Sequence, residues 1–209
     1  MAAMAFQDYK ETLTPDLRRL LDQYRFVHFA RKAVGVGSVG TRAWIALFLG
    51  RDVGDPLFLQ IKEAQESVLA PYAGASIYDH QGERVVAGQR LTQAAGDPFL
   101  GWTTAVGSDR VTPKHYYVRQ LRDMKGDMDI PAMSARQLER YGALCGWALA
   151  RAHARTGRAP MIAGYLGRSD RFDRAIESFS LAYANQNEDD HQRLARAIAQ
   201  GSLPALAGV

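Results

Sequence analysis

Residues 33–64 read AVGVGSVGTRAWIALFLGRDVGDPLFLQIKEA. Gly35, Gly37 and Gly40 stand at the spacing G-x-G-x-x-G, and Lys62 follows at the end of a second apolar run. Glycines so spaced let a backbone approach a phosphate closely, and two architectures use them. In a dinucleotide-binding fold the motif turns a strand into a helix within a parallel sheet. In a protein-kinase-like fold it caps a β-hairpin over the ATP phosphates, and a lysine on the third strand neutralises phosphate charge. Plain turns use the same spacing too.

The flanking residues weigh between these readings. TRAWIALFL (41–49) is apolar enough for a short helix or a strand. GRDVGDP (50–56) reads as a turn, and LFLQIKEA then resumes an apolar run with partial alternation. Strand, turn, strand is the economical reading. A lysine inside such a strand is costly unless paired, which favours the kinase-like loop. The bland reading of Lys62 is an edge residue reaching solvent. In kinase-like sites this lysine meets a glutamate on the next helix. Glu66 and Glu83 are the candidates, and spacing does not choose between them. Glu63 points to the opposite face of the strand.

Upstream, Thr14-Pro15-Asp16 is a helix start, and Leu17, Leu20, Leu21 and Tyr24 share a face, predicting an entry helix over 15–31. Downstream, residues 65–72 and 82–95 read as helices. PFLGWTTAV and KHYYVRQL read as a hairpin around GSDRVTP. From Ser134, an N-cap, Leu138, Tyr141, Leu144, Cys145, Ala148 and Ala152 form one stripe of a helix that stops at Gly157. Residues 170–201 give one or two more helices. The composition break at 125–134 divides a sheet region, 1–124, from a helical region, 125–209. The expected class is therefore α+β and kinase-like, a small antiparallel sheet lobe with a glycine-rich loop followed by a helical lobe.

Bulk properties exclude several classes. The 26 basic and 22 acidic residues leave a net charge of +4, spread along the chain rather than gathered into a nucleic-acid footprint. No apolar run approaches the roughly 18 residues a membrane span needs. The N-terminus lacks a secretory pattern, so a cytoplasmic location is expected. One cysteine excludes an internal disulfide, and Cys145 reads as a packed helix residue. His28, His80, His115 and His191 are scattered without metal-ligand spacing, and His153 reads as a packed or capping residue. Asp170 and Asp173 read as the start of a surface helix, and NQNEDDH (185–191) as a solvated helix segment.

The phrases VGVGSVGTRAW, DPLFLQIKEAQESVL, RVVAGQRLTQAAGDPFLGW, YYVRQLRDMKG, CGWALARAHART, IAGYLGRSDRFD and YANQNEDD together resemble a bacterial family known as domain of unknown function 2252. The resemblance runs over roughly residues 30–195. Its glycine loop and strand lysine are similar to those of kinases and aminoglycoside phosphotransferases, which implies ATP and Mg2+ as ligands. The nucleotide would meet Gly35, Gly37, Ser38, Gly40, Arg42 and Lys62, then Glu66 or Glu83, and Gln120 and Arg122 where the fifth strand meets a hinge. Arg119 and Lys125 add charge there, with Asp123 and Asp127 as the self-pairing alternative.

Members of that family look longer. An additional N-terminal half carries a Gly-Asp-x-His-x-x-Asn-type stretch and an Asp-Phe-Asp-type stretch, neither of which occurs in this sequence. The resemblance therefore implies ATP binding, and phosphotransfer only with a missing or separately encoded N-terminal half as partner. It assigns no catalytic residue to this chain. A non-catalytic scaffold domain or truncated remnant is the alternative. A dinucleotide-dependent oxidoreductase is the weaker one, and it requires a helix over Thr41–Leu49 and an acidic ribose ligand near Glu63.

Overall fold

The computed structural model describes residues 2–32, 35, 40–106, 112–121 and 126–205. Gly37, Ser38 and Arg122 lie outside the described residues, as do Asp123 and Lys125. The chain divides into two units, Met1–Thr156 and Gly157–Val209.

The first unit is built on a five-stranded antiparallel sheet of order β1-β2-β3-β5-β4. Its strands are β1 (Arg25–Arg31), β2 (Ala43–Leu49), β3 (Pro56–Glu63), β4 (Gly101–Val106) and β5 (Pro113–Gln120). Helices α1 (Ala2–Glu11) and α2 (Pro15–Leu21) precede the sheet. The short α3 (Ala70–Ala73) and α4 (Gln81–Thr92) connect β3 to β4, and α5 (Ala135–Thr156) follows β5. The chain is α+β.

Alternation along β3 sorts its side chains between the two faces of the sheet. Leu57, Leu59 and Ile61 join Ala46, Phe48 and Val118 in a core that also takes Tyr9, Leu13 and Leu21 from the two leading helices. Polar ties hold α1 there. The Tyr9 hydroxyl donates to the Phe99 carbonyl at 2.7 Å and the Thr103 hydroxyl to the Ala5 carbonyl at 2.7 Å. Burial pushes the Tyr9 phenol far above its ordinary range, so it stays a donor at all ordinary pH.

Four expectations need correction. The entry helix stops at Leu21, and residues 25–31 form β1 instead of continuing it. RFVHFAR is rich in aromatic and β-branched residues, and its backbone finds its partners in β2, with Phe29 opposite Ala46 and Arg31 opposite Trp44. Helix is also absent from 65–69; only Ala70–Ala73 is helical, ended by Gly74. Cys145 is exposed, and so are Leu138 and Leu144 of its stripe and the nearby Trp147. His153 is exposed as well. Strand β1 is exposed along its whole length, and its register slips by one residue between Phe26 and His28.

The second unit holds α6 (Ala159–Leu166) and α7 (Arg171–Ala199). Asp170 precedes α7 and accepts from Arg174 at 2.6 Å, and Asp173 lies in its first turn. NQNEDDH forms an exposed stretch of this helix. No helix among the described residues is long and apolar enough to cross a membrane.

Candidate functional site

The glycine-rich segment joins two antiparallel strands. Its base is closed by the Lys32 N–H donating to the Ala43 carbonyl at 2.9 Å. Gly40 ends it with φ +82°, a left-handed conformation that a side chain disfavours. Ala43 is the first residue of β2 and stands opposite Lys62 of β3. The lysine's backbone is thus in register with the foot of the turn. Because Thr41–Leu49 contributes a strand, the strand-to-helix turn that a dinucleotide fold requires does not form, and that reading fails.

Lys62 and Glu63 face opposite sides of the sheet. Glu63 is buried, its side chain 5% exposed, and Lys114 donates to its Oε1 at 2.9 Å. Its Oε2 accepts the Arg42 backbone N–H at 3.2 Å, while the Glu63 N–H donates to the Arg42 carbonyl at 2.8 Å. Burial pushes the Glu63 carboxyl up. The Lys114 hydrogen bond and charge, with the Arg42 N–H, outweigh it and hold the group below its ordinary value. Glu63 therefore anchors the exit of the glycine turn rather than offering an acid for a ribose. The Arg42 guanidinium has one buried nitrogen, Nη1, without a hydrogen-bond partner among the described residues.

On the face of Lys62, which is half-buried, register gathers residues that spacing left apart. Gln60 is buried, and its side-chain oxygen accepts from Arg119 Nε and Nη2 at 3.1 and 3.0 Å. Tyr117 lies opposite Lys62, and His115 two residues further along the same face lies opposite Thr104. Of the two candidate glutamates, Glu66 is exposed in the irregular segment after β3, whereas Glu83 is half-buried in the first turn of α4. Gln120 closes β5 opposite Leu59, exposed, with its N–H donated to Asp97 at 2.6 Å. It stands three residues from the Lys62 register, about 10 Å along the strand. Among the described residues nothing lies within 4 Å of a Cβ placed at Gly35.

Sequence reasoning did not find Gln60, Thr104 or the meeting of His80 with His115. Their contacts join residues 24 or more positions apart, and no local pattern encodes them. A shallow depression of about 530 Å³ beside Tyr24, Gly50 and Asp55 lies at the other end of β2, away from Lys62. Among the described residues no three or more His, Cys, Asp or Glu side chains gather as a metal site would require.

The sequence model of a family described as "uncharacterized protein conserved in bacteria (DUF2252)" matches residues 1–197. Comparisons with curated proteins and with solved structures return no match.

Proposed function

We propose a nucleotide-binding role for this chain, which belongs to the DUF2252 family. The glycine-rich turn and Lys62 hold the phosphates of ATP. The observation that carries the reading is the register of Lys62 with Ala43, which sets a strand cation opposite the residue three positions after Gly40, the last glycine of the motif. Three adjacent antiparallel strands, then a helix, then a β4–β5 hairpin add support, because a kinase-like small lobe places its lysine and helix in that order. Glu83 is better placed than Glu66 to serve Lys62, since its helix is packed against β4 and β5.

Phosphoryl transfer needs more: an aspartate to position the acceptor and oxygen ligands for magnesium. Transfer therefore belongs to this reading only together with an N-terminal half that supplies both.

Calorimetric titration of the chain with ATP tests the proposal, with adenosine as the control lacking phosphate. Saturable ATP binding, weakened about tenfold or more by Lys62→Ala, is expected, because a charge-assisted phosphate contact is lost. Absence of saturable binding, or equal affinity in the Lys62→Ala variant, would overturn it in favour of a scaffold role.

A further inference from the structure

The N-terminal end of α4 is held by two histidines rather than by the usual hydroxyl or carboxylate. His80 is the N-cap, and its Nδ1 accepts the Glu83 backbone N–H at 3.1 Å. His115, from β5, accepts the Gln81 backbone N–H on its own Nδ1 at 3.0 Å. The two rings stack with centroids 4.0 Å apart and planes 22° from parallel. His80 Nε2 lies 3.0 Å from the Thr104 hydroxyl on β4. Thr104 is itself the cross-strand neighbour of His115. One stacked pair thus ties the helix to two strands.

This geometry fixes the protonation state. An Nδ1 that accepts a backbone N–H must carry its lone pair there, so both rings are neutral with the proton on Nε2. His80 then donates to Thr104. A proton added at either Nδ1 would set one N–H against another and remove an acceptor from the helix start. It would also place a cation at the positive end of the helix, against its stacked neighbour.

We propose that the His80–His115 pair is an acid-released latch that docks the start of α4 on β4 and β5.

The surroundings are consistent with release in the histidine range. β4 brings Thr104 and no titratable side chain. On β5, Lys114 is paired with Glu63, Tyr116 and Tyr117 follow His115, burial pushing the Tyr117 phenol up, and Lys62 of β3 and Arg119 of β5 share the face of His115. On α4 and just before it stand Glu83, Arg84 and the exposed Asp79. Arg84 is bonded to Gln81 Oε1 and the Gln65 carbonyl. The two carboxylates would favour an imidazolium. Burial first, and the His115 ring second, nevertheless hold His80 below its ordinary value. The folded state therefore resists the proton that the unfolded chain accepts. The latch contributes fully above the ordinary histidine range, and its contribution is lost as pH falls through that range towards the lowered folded value.

Amide hydrogen exchange of the full chain, corrected for intrinsic rates, tests this between about pH 7.5 and about pH 5. Protection of the Gln81 and Glu83 amides should fall about tenfold or more relative to that of Leu59 in β3, the equivalent of a lost hydrogen bond. His80→Asn and His115→Asn keep an acceptor near Nδ1 that does not titrate. Together they should retain neutral-pH protection and lose the acid response. Unchanged protection at the acid end, or a wild-type acid response in either single variant's own amide, would overturn the latch. Should the double variant fail to fold, the ring titrations of the wild-type chain decide. His80 titrating at or above its ordinary value, with silent Gln81 and Glu83 amides, would sink the proposal.

Discussion

The two faces of the sheet in the first unit are made from the same strands and behave differently. Under α1 and α2, Phe48, Leu57, Leu59 and Val118 are packed dry. On the other face, alternate residues of the same strands supply Gln60, Lys62, His115 and Arg119. One step along a pleated strand thus separates an apolar residue of the core from a polar residue of the opposite face. Residues of this second face can change without emptying the core, and a register slip of one residue would ruin both faces at once.

The sharpest way to break this comparison is a pair of truncations on neighbouring residues. Leu59→Ala empties a fully buried position and is expected to cost about 3 kcal/mol or more in denaturant unfolding, while Phe58→Ala, 37% exposed on the other face, costs about 1 kcal/mol. Equal losses would mean that both faces carry the fold. A smaller contrast comes from two glycines. A Cβ at Gly82 would lie 2.3 Å from the Tyr116 carbonyl oxygen, so Gly82→Ala must lift α4 from β5 at about 1–3 kcal/mol. Gly40→Ala meets no neighbour among the described residues and bears the left-handed backbone cost, about 1 kcal/mol. Thermal unfolding of the two variants ranks them.

The smallest expected effect concerns Glu63. Its carboxyl is held below its ordinary value, so its contribution is present above the usual carboxylate range and lost as pH falls through the lowered value. Glu63→Gln should cost about 1 kcal/mol at neutral pH and flatten the acid limb of the stability profile. An unaltered acid limb would show that other carboxylates set it.

Much of this sheet was legible from local chemistry. GRDVGDP marked the β2–β3 turn, and the aromatic and β-branched runs marked β4 and β5. Strand β1 was not. The helical spacing of Leu17, Leu20, Leu21 and Tyr24 ran straight into an apolar run whose period does not separate strand from helix. Helix α1 was missed for a related reason, since Phe6 and Tyr9 acquire a role only once β4 lies beneath them. At the candidate site the motif and the lysine were readable, and the register of Ala43 with Lys62 came with the hairpin. The Gln60–Arg119 bond and the histidine stack belong to pairings of β3 with β5 and of α4 with the sheet, which a single sequence does not display.

Strand β1 bears on how this protein behaves in concentrated solution. It is an outer strand with Phe26, Val27 and Phe29 exposed, the kind of open edge on which a second molecule could extend a sheet and begin to aggregate. Two features oppose that. The one-residue slip between Phe26 and His28 twists the edge out of line, and Arg25, Arg31 and Lys32 set positive charge at both ends, repelling a like strand. The strand that carries one side of the glycine turn therefore also carries the chain's protection against polymerising through it.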